Sequence, residues 1–283
     1  MIVLSRKAGC FAMGRNRSTN TQKSVRDKIC KGYGRGRGIG YKPWLSGHEF
    51  ASMGVYTRMM GLTIPRMYVF FSRLESDLFV IYDTDPEVED ILEQYYMDLP
   101  TTLRLAQSMG IRHPWSGQYY NVMTADLLLL KNGRWHARSV KSSSELNKPR
   151  TVEKLRLEQA YFNEAGIPWS IVTEKEINPY KVQNLRWIYY TTQFEELVPC
   201  ESLRKQCSRL FYELYMEELQ SLPDVIDCIE SLYSIPEGTG IAILKSLIRQ
   251  EKIPFDIEKP INLNDPVHPA GRRLDYGRYN SYG

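Results

Sequence analysis

A chain of 283 residues with 42% hydrophobic, 25% charged and 12% aromatic residues and a net charge of +4 has the make-up of a soluble globular protein, with room for two ordinary domains or one large one. Charges interrupt every apolar stretch well short of the ~18 residues a spanning helix needs, and only four apolar residues precede Arg6 and Lys7, which excludes a membrane protein and predicts no signal peptide. Five cysteines, odd in number and without a CxxC pair, predict free thiols in a reducing cytoplasm and speak against a zinc site.

The charge is unevenly spread. Residues 1–42 hold eleven Lys/Arg against one acid, Asp27, a net of +10, so the rest of the chain sums to −6. This Gly-rich arm, poor in apolar residues, reads as a segment that contacts nucleic acid through phosphates. Arg35, Arg37 and Lys42 are the cations of its glycine-rich end, where flexible glycines and Tyr41 interleave with the charges. A solvated tail without a specific partner is the alternative.

From Pro43 onward apolar residues return. A strand is predicted over residues 66–71, a helix over 74–82 and a strand over 88–97, followed by loop at 110–117. Strands follow at 122–130 and 134–141. A helix over 151–165 carries Val152, Leu155, Gln159 and Phe162 along it and stops at Gly166, and a strand follows at 168–173. Strand, helix and strand in that order predict a parallel crossover, so the body from 43 to 174 is α/β. Beyond it, helices are predicted over 180–190, 201–219, 223–233 and 240–249, and the alternation of Ile253, Phe255 and Ile257 predicts a short strand. That makes a small, mostly helical domain over 175–265, with a flexible tail at 266–283 that cannot bury a core.

Asn132-Gly133 between two apolar runs is the strongest short hairpin signal, because a type I′ turn needs positive φ at both central residues. A two-residue turn there sets Asp126 opposite Ser139 and brings Asp126, Ser139 and Lys141 to one side of the sheet. A carboxylate beside a lysine at a strand end suits metal-assisted phosphodiester cleavage: the acid holds Mg²⁺, and the lysine orients or activates water and neutralises the transition state. A second carboxylate is needed, and Glu75 on the preceding helix is the candidate. Each residue has a plainer reading. Ser72-Arg-Leu-Glu75 fits a capping box, Asp126 an edge-strand charge and Lys141 a solvated strand end. His48, His113, His136 and His268 show no ligand spacing.

These stretches resemble the TnsA family, the endonuclease subunit of heteromeric cut-and-paste bacterial transposases. The resemblance runs from about Gly34 to Trp187. It is carried by Gly34-Arg-Gly-Arg-Gly-Ile-Gly-Tyr-Lys-Pro-Trp-Leu45, Ser72-Arg-Leu-Glu75, Asp90-Ile-Leu-Glu-Gln94, Gly110-Ile-Arg-His-Pro114 and Met123-Thr-Ala-Asp126. Thr151-Val-Glu-Lys-Leu155, Gly166-Ile-Pro-Trp169 and Thr173-Glu-Lys-Glu-Ile-Asn-Pro179 follow in the family's order. It implies a restriction-endonuclease-like catalytic domain over 43–174 and a winged-helix-like carboxy-terminal domain. It implies Mg²⁺-dependent cleavage at the 5′ ends of a transposon, beside an integrase-type transposase that cuts and joins the 3′ ends and an AAA+ ATPase regulator. Glu75 and Asp126 then become metal-binding acids, the Val140 carbonyl a further metal ligand and Lys141 the catalytic lysine. Ser139 stands where the family usually has Gln, and its shorter side chain reaches less far toward a water or metal.

In the carboxy-terminal domain, Val225, Ile226, Ile229 and Leu232, then Ile241, Leu244, Leu247 and Ile248, give two helices with apolar faces joined by Ser234–Thr239. A helix-turn-helix with a strand wing fits that pattern. Its second helix offers Lys245 and Arg249 as DNA contacts among several acids, so docking to a protein partner fits at least as well. The competing classes are a stand-alone restriction or resolvase-type endonuclease, a non-catalytic DNA-binding assembly subunit, and an α/β scaffold protein.

Overall fold

The computed structural model describes residues 22–45, 56–217 and 220–261. The first half of the arm, residues 46–55 and the tail over 266–283 lie outside them. The elements run α1 (Gln22–Cys30), β1 (Thr57–Met60), β2 (Met67–Phe70), α2 (Arg73–Asp83), β3 (Val88–Tyr96), α3 (Leu99–Ser108), β4 (Trp115–Ser116), β5 (Tyr119–Tyr120), β6 (Thr124–Lys131), β7 (Arg134–Val140), α4 (Pro149–Glu164) and β8 (Trp169–Val172). Five helices follow: α5 (Pro179–Tyr189), α6 (Phe194–Leu197), α7 (Glu201–Glu217), α8 (Leu222–Tyr233) and α9 (Thr239–Arg249).

The turn chemistry sets the central hairpin. Asn132 and Gly133 take φ of 49° and 70°, as a type I′ turn requires. Pairing runs from Leu127 with Arg138 to Lys131 with Arg134, the expected two-residue register. The main sheet has the order β3-β6-β7-β8, antiparallel except for the β7–β8 pair, which α4 joins as the parallel crossover. β3 supplies an antiparallel edge against β6, a mixed sheet that the crossover alone did not disclose.

Alternation along the strands gives each face its own core. Ile91, Leu127, Leu129, Val140 and Val172 pack under α2 through Leu78 and Phe79, and under α5 through Val182 and Leu185. Leu92, Ala125, Leu128 and Ala137 face α3 and α4, against Leu105, Leu157 and Phe162. Each such fully buried Leu or Phe contributes roughly 1.5–3 kcal/mol of transfer free energy. The buried face of α4 is Leu155, Leu157, Glu158 and Phe162. Val152, expected on that stripe, is exposed.

Part of the basic arm is docked. Tyr41 and Trp44 are buried; Tyr41 donates its hydroxyl to the Glu93 carbonyl, and the Trp44 N–H donates to the Gln94 carbonyl. Trp44 packs on Tyr96 at 4.8 Å between ring centroids. Gly34, at φ 67°, lies so close to Tyr96 that an added Cβ would fall 2.3 Å from its Cβ. The arm's far end is therefore held on the edge strand and is not the flexible segment its composition predicts.

The carboxy-terminal helices have a core of their own, with Phe211, Val225, Ile229, Ile243 and Leu247 at its centre. Residues 253–257 form no strand. Ile253 is buried in the helical core instead, and Phe255 sits against Trp187. Among the described residues no strand follows Val172, so no wing is present there. α9 is buried over Thr239, Gly240 and Ala242–Leu247, enclosed by its neighbours. A helix enclosed in that way cannot lie in a DNA groove.

Candidate active site

The register carries Asp126, Ser139 and Lys141 to one face of the β6–β7 pair. Asp126 is the centre of the cluster: its Oδ2 accepts from the Val140 N–H at 2.7 Å and from the Lys141 ammonium at 2.7 Å. Lys141 also donates to the Val140 carbonyl at 2.8 Å. The ammonium thus bridges a carboxylate and a carbonyl, two oxygens aimed at one cationic position. Its side chain is 32% exposed, which leaves it reachable from solvent. Burial pulls the lysine's pKa down, but Asp126, and behind it Glu158 and Glu75, outweigh that and hold it above the ordinary value. Lys141 therefore stays protonated.

Glu75 enters from the start of α2. Ser72 caps that helix, accepting from the Glu75 N–H at 3.1 Å, while the Glu75 carboxylate accepts from the Ser72 hydroxyl at 2.9 Å and the Phe71 N–H at 3.1 Å. The capping role and the site role belong to the same side chain. The carboxyl is pushed up to about 7, first by burial and then by the charge of Asp126, against the lowering effects of Phe71, Ser72 and Lys141. Glu75 and Asp126 thus come from separate elements, and the charge of Asp126 adds to the cost of ionising Glu75.

Two further residues belong to the cluster that the sequence pattern did not single out. Glu158, buried on α4, accepts from the Ser139 hydroxyl at 2.7 Å and the Trp169 indole N–H at 3.0 Å. Burial, and then Asp126, push it up to about 7. The available signal was an acid one turn beyond Leu155 and one turn before Phe162, inside the apolar stripe. Ser139 is buried and spends its hydroxyl on Glu158, so it does not reach the Asp126 oxygens. Gln94, opposite Asp126 in the β3–β6 register, is the other. Its φ is 48°, a left-handed conformation rare for a non-glycine residue and concentrated at functional sites. Its amide donates to Glu75 at 3.4 Å and accepts from the Thr124 hydroxyl at 3.0 Å. Gln94 thereby ties the helix acid Glu75 to Thr124, two residues before Asp126 on β6.

A groove of about 360 Å³ opens on this cluster, lined by Lys141 and Glu158 with Thr124, Glu145 and Lys154. Among the described residues no three acidic, His or Cys side chains converge on a common centre. Glu75, Asp126 and the Val140 carbonyl offer oxygen donors alone, the kind a hard divalent cation would take.

The basic residues fall into two groups. Arg35, Arg37 and Lys42 are exposed on the docked arm. Arg37 lies over the Trp135 ring at 5.2 Å and 3.8 Å from Asp90, with its side chain still 60% exposed. Lys245 and Arg249 are not brought to that surface. Lys245 is 7% exposed, over the Trp187 ring and donating to Thr191. Arg249 donates to the Ile188 carbonyl and lies 3.8 Å from Glu195. Both are engaged within the helical domain.

An acid from a sheet strand and one from a helix beside a charged lysine, on an α/β body followed by a helical domain, point to a class: a nuclease-type body with an appended carboxy-terminal module. Residues 85–174 match the family model described as TnsA-like endonuclease N terminal, and residues 176–257 match TnsA endonuclease C terminal. The first block contains Asp126, Val140, Lys141 and Glu158; Glu75 lies just before it. The chain is also 31% identical over 255 residues, 89% of its own length and 92% of the relative's, to the Transposon Tn7 transposition protein TnsA of Escherichia coli. The chain belongs to the TnsA endonuclease family. Among the described residues no helix is long and apolar enough to cross a membrane.

Proposed function

We propose that this chain is the DNA endonuclease subunit of a heteromeric transposase, with a restriction-endonuclease-like catalytic core that cuts the 5′ ends of its element. It acts with Mg²⁺ and beside an integrase-type transposase and an AAA+ ATPase. The observation that supports this most is the placing of Asp126 and a protonated Lys141 on one strand pair, with Glu75 delivered from an adjoining helix.

Glu75, Asp126 and the Val140 carbonyl would hold the cation, which when bound stabilises charge on the phosphate and lowers the pKa of water. Asp126 holds the pKa of Lys141 up, so the lysine enters as a cation. It meets the phosphate as a fixed positive charge and offsets the negative charge that grows as the bond to phosphorus breaks. The Val140 N–H fixes Asp126, and Gln94 and Ser72 fix Glu75, so neither acid has to be oriented at the moment of reaction. Glu158 holds the Ser139 hydroxyl beside Asp126 and Lys141. Arg35, Arg37 and Lys42 on the docked arm take phosphates of the bound DNA; the carboxy-terminal pair Lys245 and Arg249 has no part in it.

The test is cleavage at the element's 5′ ends, in Mg²⁺ with the partner proteins present. Asp126→Ala or Glu75→Ala should lose on the order of 10²–10³-fold in rate, the cost of removing one preorganised electrostatic group. Chelation of divalent cations should abolish cutting by the wild-type protein. An Asp126→Ala protein that cuts within threefold of wild type would end the assignment.

A further inference from the structure

The stretch Gly110–Pro114 leads into a small hairpin that the catalytic cluster does not use. β4 and β5 pair Trp115 with Tyr120 and Ser116 with Tyr119. Gly117, at φ 62°, sits at the first central position of the turn, where a two-residue hairpin of type II′ needs glycine. The feet of the hairpin are bonded, the Asn121 N–H donating to the Pro114 carbonyl at 2.9 Å. Both feet line the same groove as Lys141 and Glu158. His113 anchors the base: its ring bonds the Thr102 hydroxyl on α3 and the Pro114 carbonyl, and meets the Tyr120 ring edge-on at 5.5 Å. Burial holds its pKa below the ordinary histidine value, so the anchor is neutral.

What this rigid base presents is unusual for a surface. Trp115 and Tyr120, directly opposite each other, are each 53% exposed. The Arg112 guanidinium stacks on Trp115 at 4.5 Å, and Arg112 makes no ion pair among the described residues. Beneath lies a cleft of about 840 Å³ between α3 and the hairpin, lined by Arg104, Gln107, Arg112, His113, Gln118 and Tyr119 among others, with no carboxylate on its walls. Aromatic faces for stacking, an unpaired guanidinium and acid-free walls, one residue along the chain from the groove-lining Pro114 and Asn121, are complementary to a nucleic-acid strand.

We propose that the β4–β5 hairpin is a DNA clamp: Trp115 and Tyr120 stack on bases of the strand leaving the catalytic groove, and Arg112 takes a phosphate beside them. The proposal rests on the nuclease reading of the groove. Its occupant is a strand with at least one unstacked base near the scissile phosphate.

The experiment uses the full-length protein and a fluorescent duplex carrying a short unpaired 5′ stretch, with binding followed by anisotropy over a range of salt. Trp115→Ala/Tyr120→Ala should weaken binding roughly five- to a hundredfold, the range for losing base–aromatic stacking. Its thermal midpoint and salt slope should match wild type, and Trp115→Phe/Tyr120→Phe should restore most of the affinity. Arg112→Gln should instead flatten the log–log salt slope by about 0.9, the value of one phosphate contact. Unchanged affinity in the double alanine protein, or an equal loss in the phenylalanine pair, overturns the clamp. With the partners present, Asp126→Ala should fail to cut. Cutting by Asp126→Ala would refute the nuclease site without touching the binding result.

Discussion

Glu158 sits in the protein at a cost that its neighbours only partly offset. Its ordinary pKa is 4.5, and burial together with Asp126 raises it to about 7 despite the bonds from Trp169 and Ser139. The fold therefore favours the protonated form. Such a carboxyl contributes its full stability below about pH 4.5, and that contribution is lost as pH rises through about 7. Glu158→Gln keeps an acceptor oxygen for Ser139 and Trp169 and never ionises. Without divalent cations, the variant should be more stable than wild type at neutral pH by up to about 3 kcal/mol, and the two should converge near pH 4. Calorimetric midpoints across that range decide it: a gap that is the same at both ends would mean charge is not the cause. The same side chain shows why it escaped the sequence pattern. Helical spacing marks positions that face inward but not what lies opposite them, and only the sheet in place reveals that Glu158 meets Ser139.

Arg66 shows how one element fastens another. Its guanidinium makes a bidentate pair with the fully buried Glu93 of β3, at 2.9 and 2.5 Å, and lies over the rings of Tyr41 and Tyr68 at 5.1 and 3.6 Å. The arm, the β2 lead-in and the edge strand meet at this one cation. Arg66→Met should cost about 3–5 kcal/mol, because it strands Glu93 as an uncompensated buried charge, and the added Glu93→Met change should recover much of it. Urea midpoints of the two variants check this; a double variant no more stable than the single would show that packing on Tyr41 and Tyr68, not the ion pair, dominates. Such features mark what a sequence leaves out. The β6–β7 hairpin was legible to the residue because turn chemistry is local and fixes register, and register fixes which side chains share a face. The docking of Tyr41 on Glu93 joins residues 52 apart, and no local pattern encodes that contact. Composition pointed to a free arm because it counts charges and glycines, while two buried aromatics decide the outcome. Alternation at residues 253–257 mimicked a strand, but a strand needs a neighbour to bond to, and the helices there offer only a core for Ile253.

At the scale of the molecule, α5 decides how the two halves relate. Val182 and Leu185 belong to the core of the catalytic body, and Trp187 to that of the helical domain. Arg186 reaches Ser76 and Asp77, the two residues after Glu75, at 3.2 and 3.0 Å. A boundary between residues 174 and 175 follows the chain but cuts through this packing. A protein ending at residue 174 should lose cooperative melting, since the sheet face under α5 would be bared, whereas one ending at 190 should melt at a higher temperature. Thermal scans of both check it, and a cooperative 1–174 protein as stable as the longer one would make α5 a bystander. The same architecture bears on control of cutting. The helix expected to read DNA presents no basic face, since α9 is enclosed and Lys245 and Arg249 are bonded inside. The exposed cations elsewhere, on the docked arm and at Lys205 and Arg209 of α7, where they pair with Glu201 and Glu213, are of the kind that meets phosphates. Such a protein should bind DNA weakly by itself and gain its position from a partner that already holds the element's ends, through the raised effective concentration of a tethered site. Alone with Mg²⁺ it should leave plasmid DNA largely intact; with the transposase and the ATPase it should cut at the 5′ ends. Gel analysis of plasmid substrates distinguishes the cases, and efficient sequence-specific double-strand cutting by the isolated chain would identify a self-sufficient endonuclease instead.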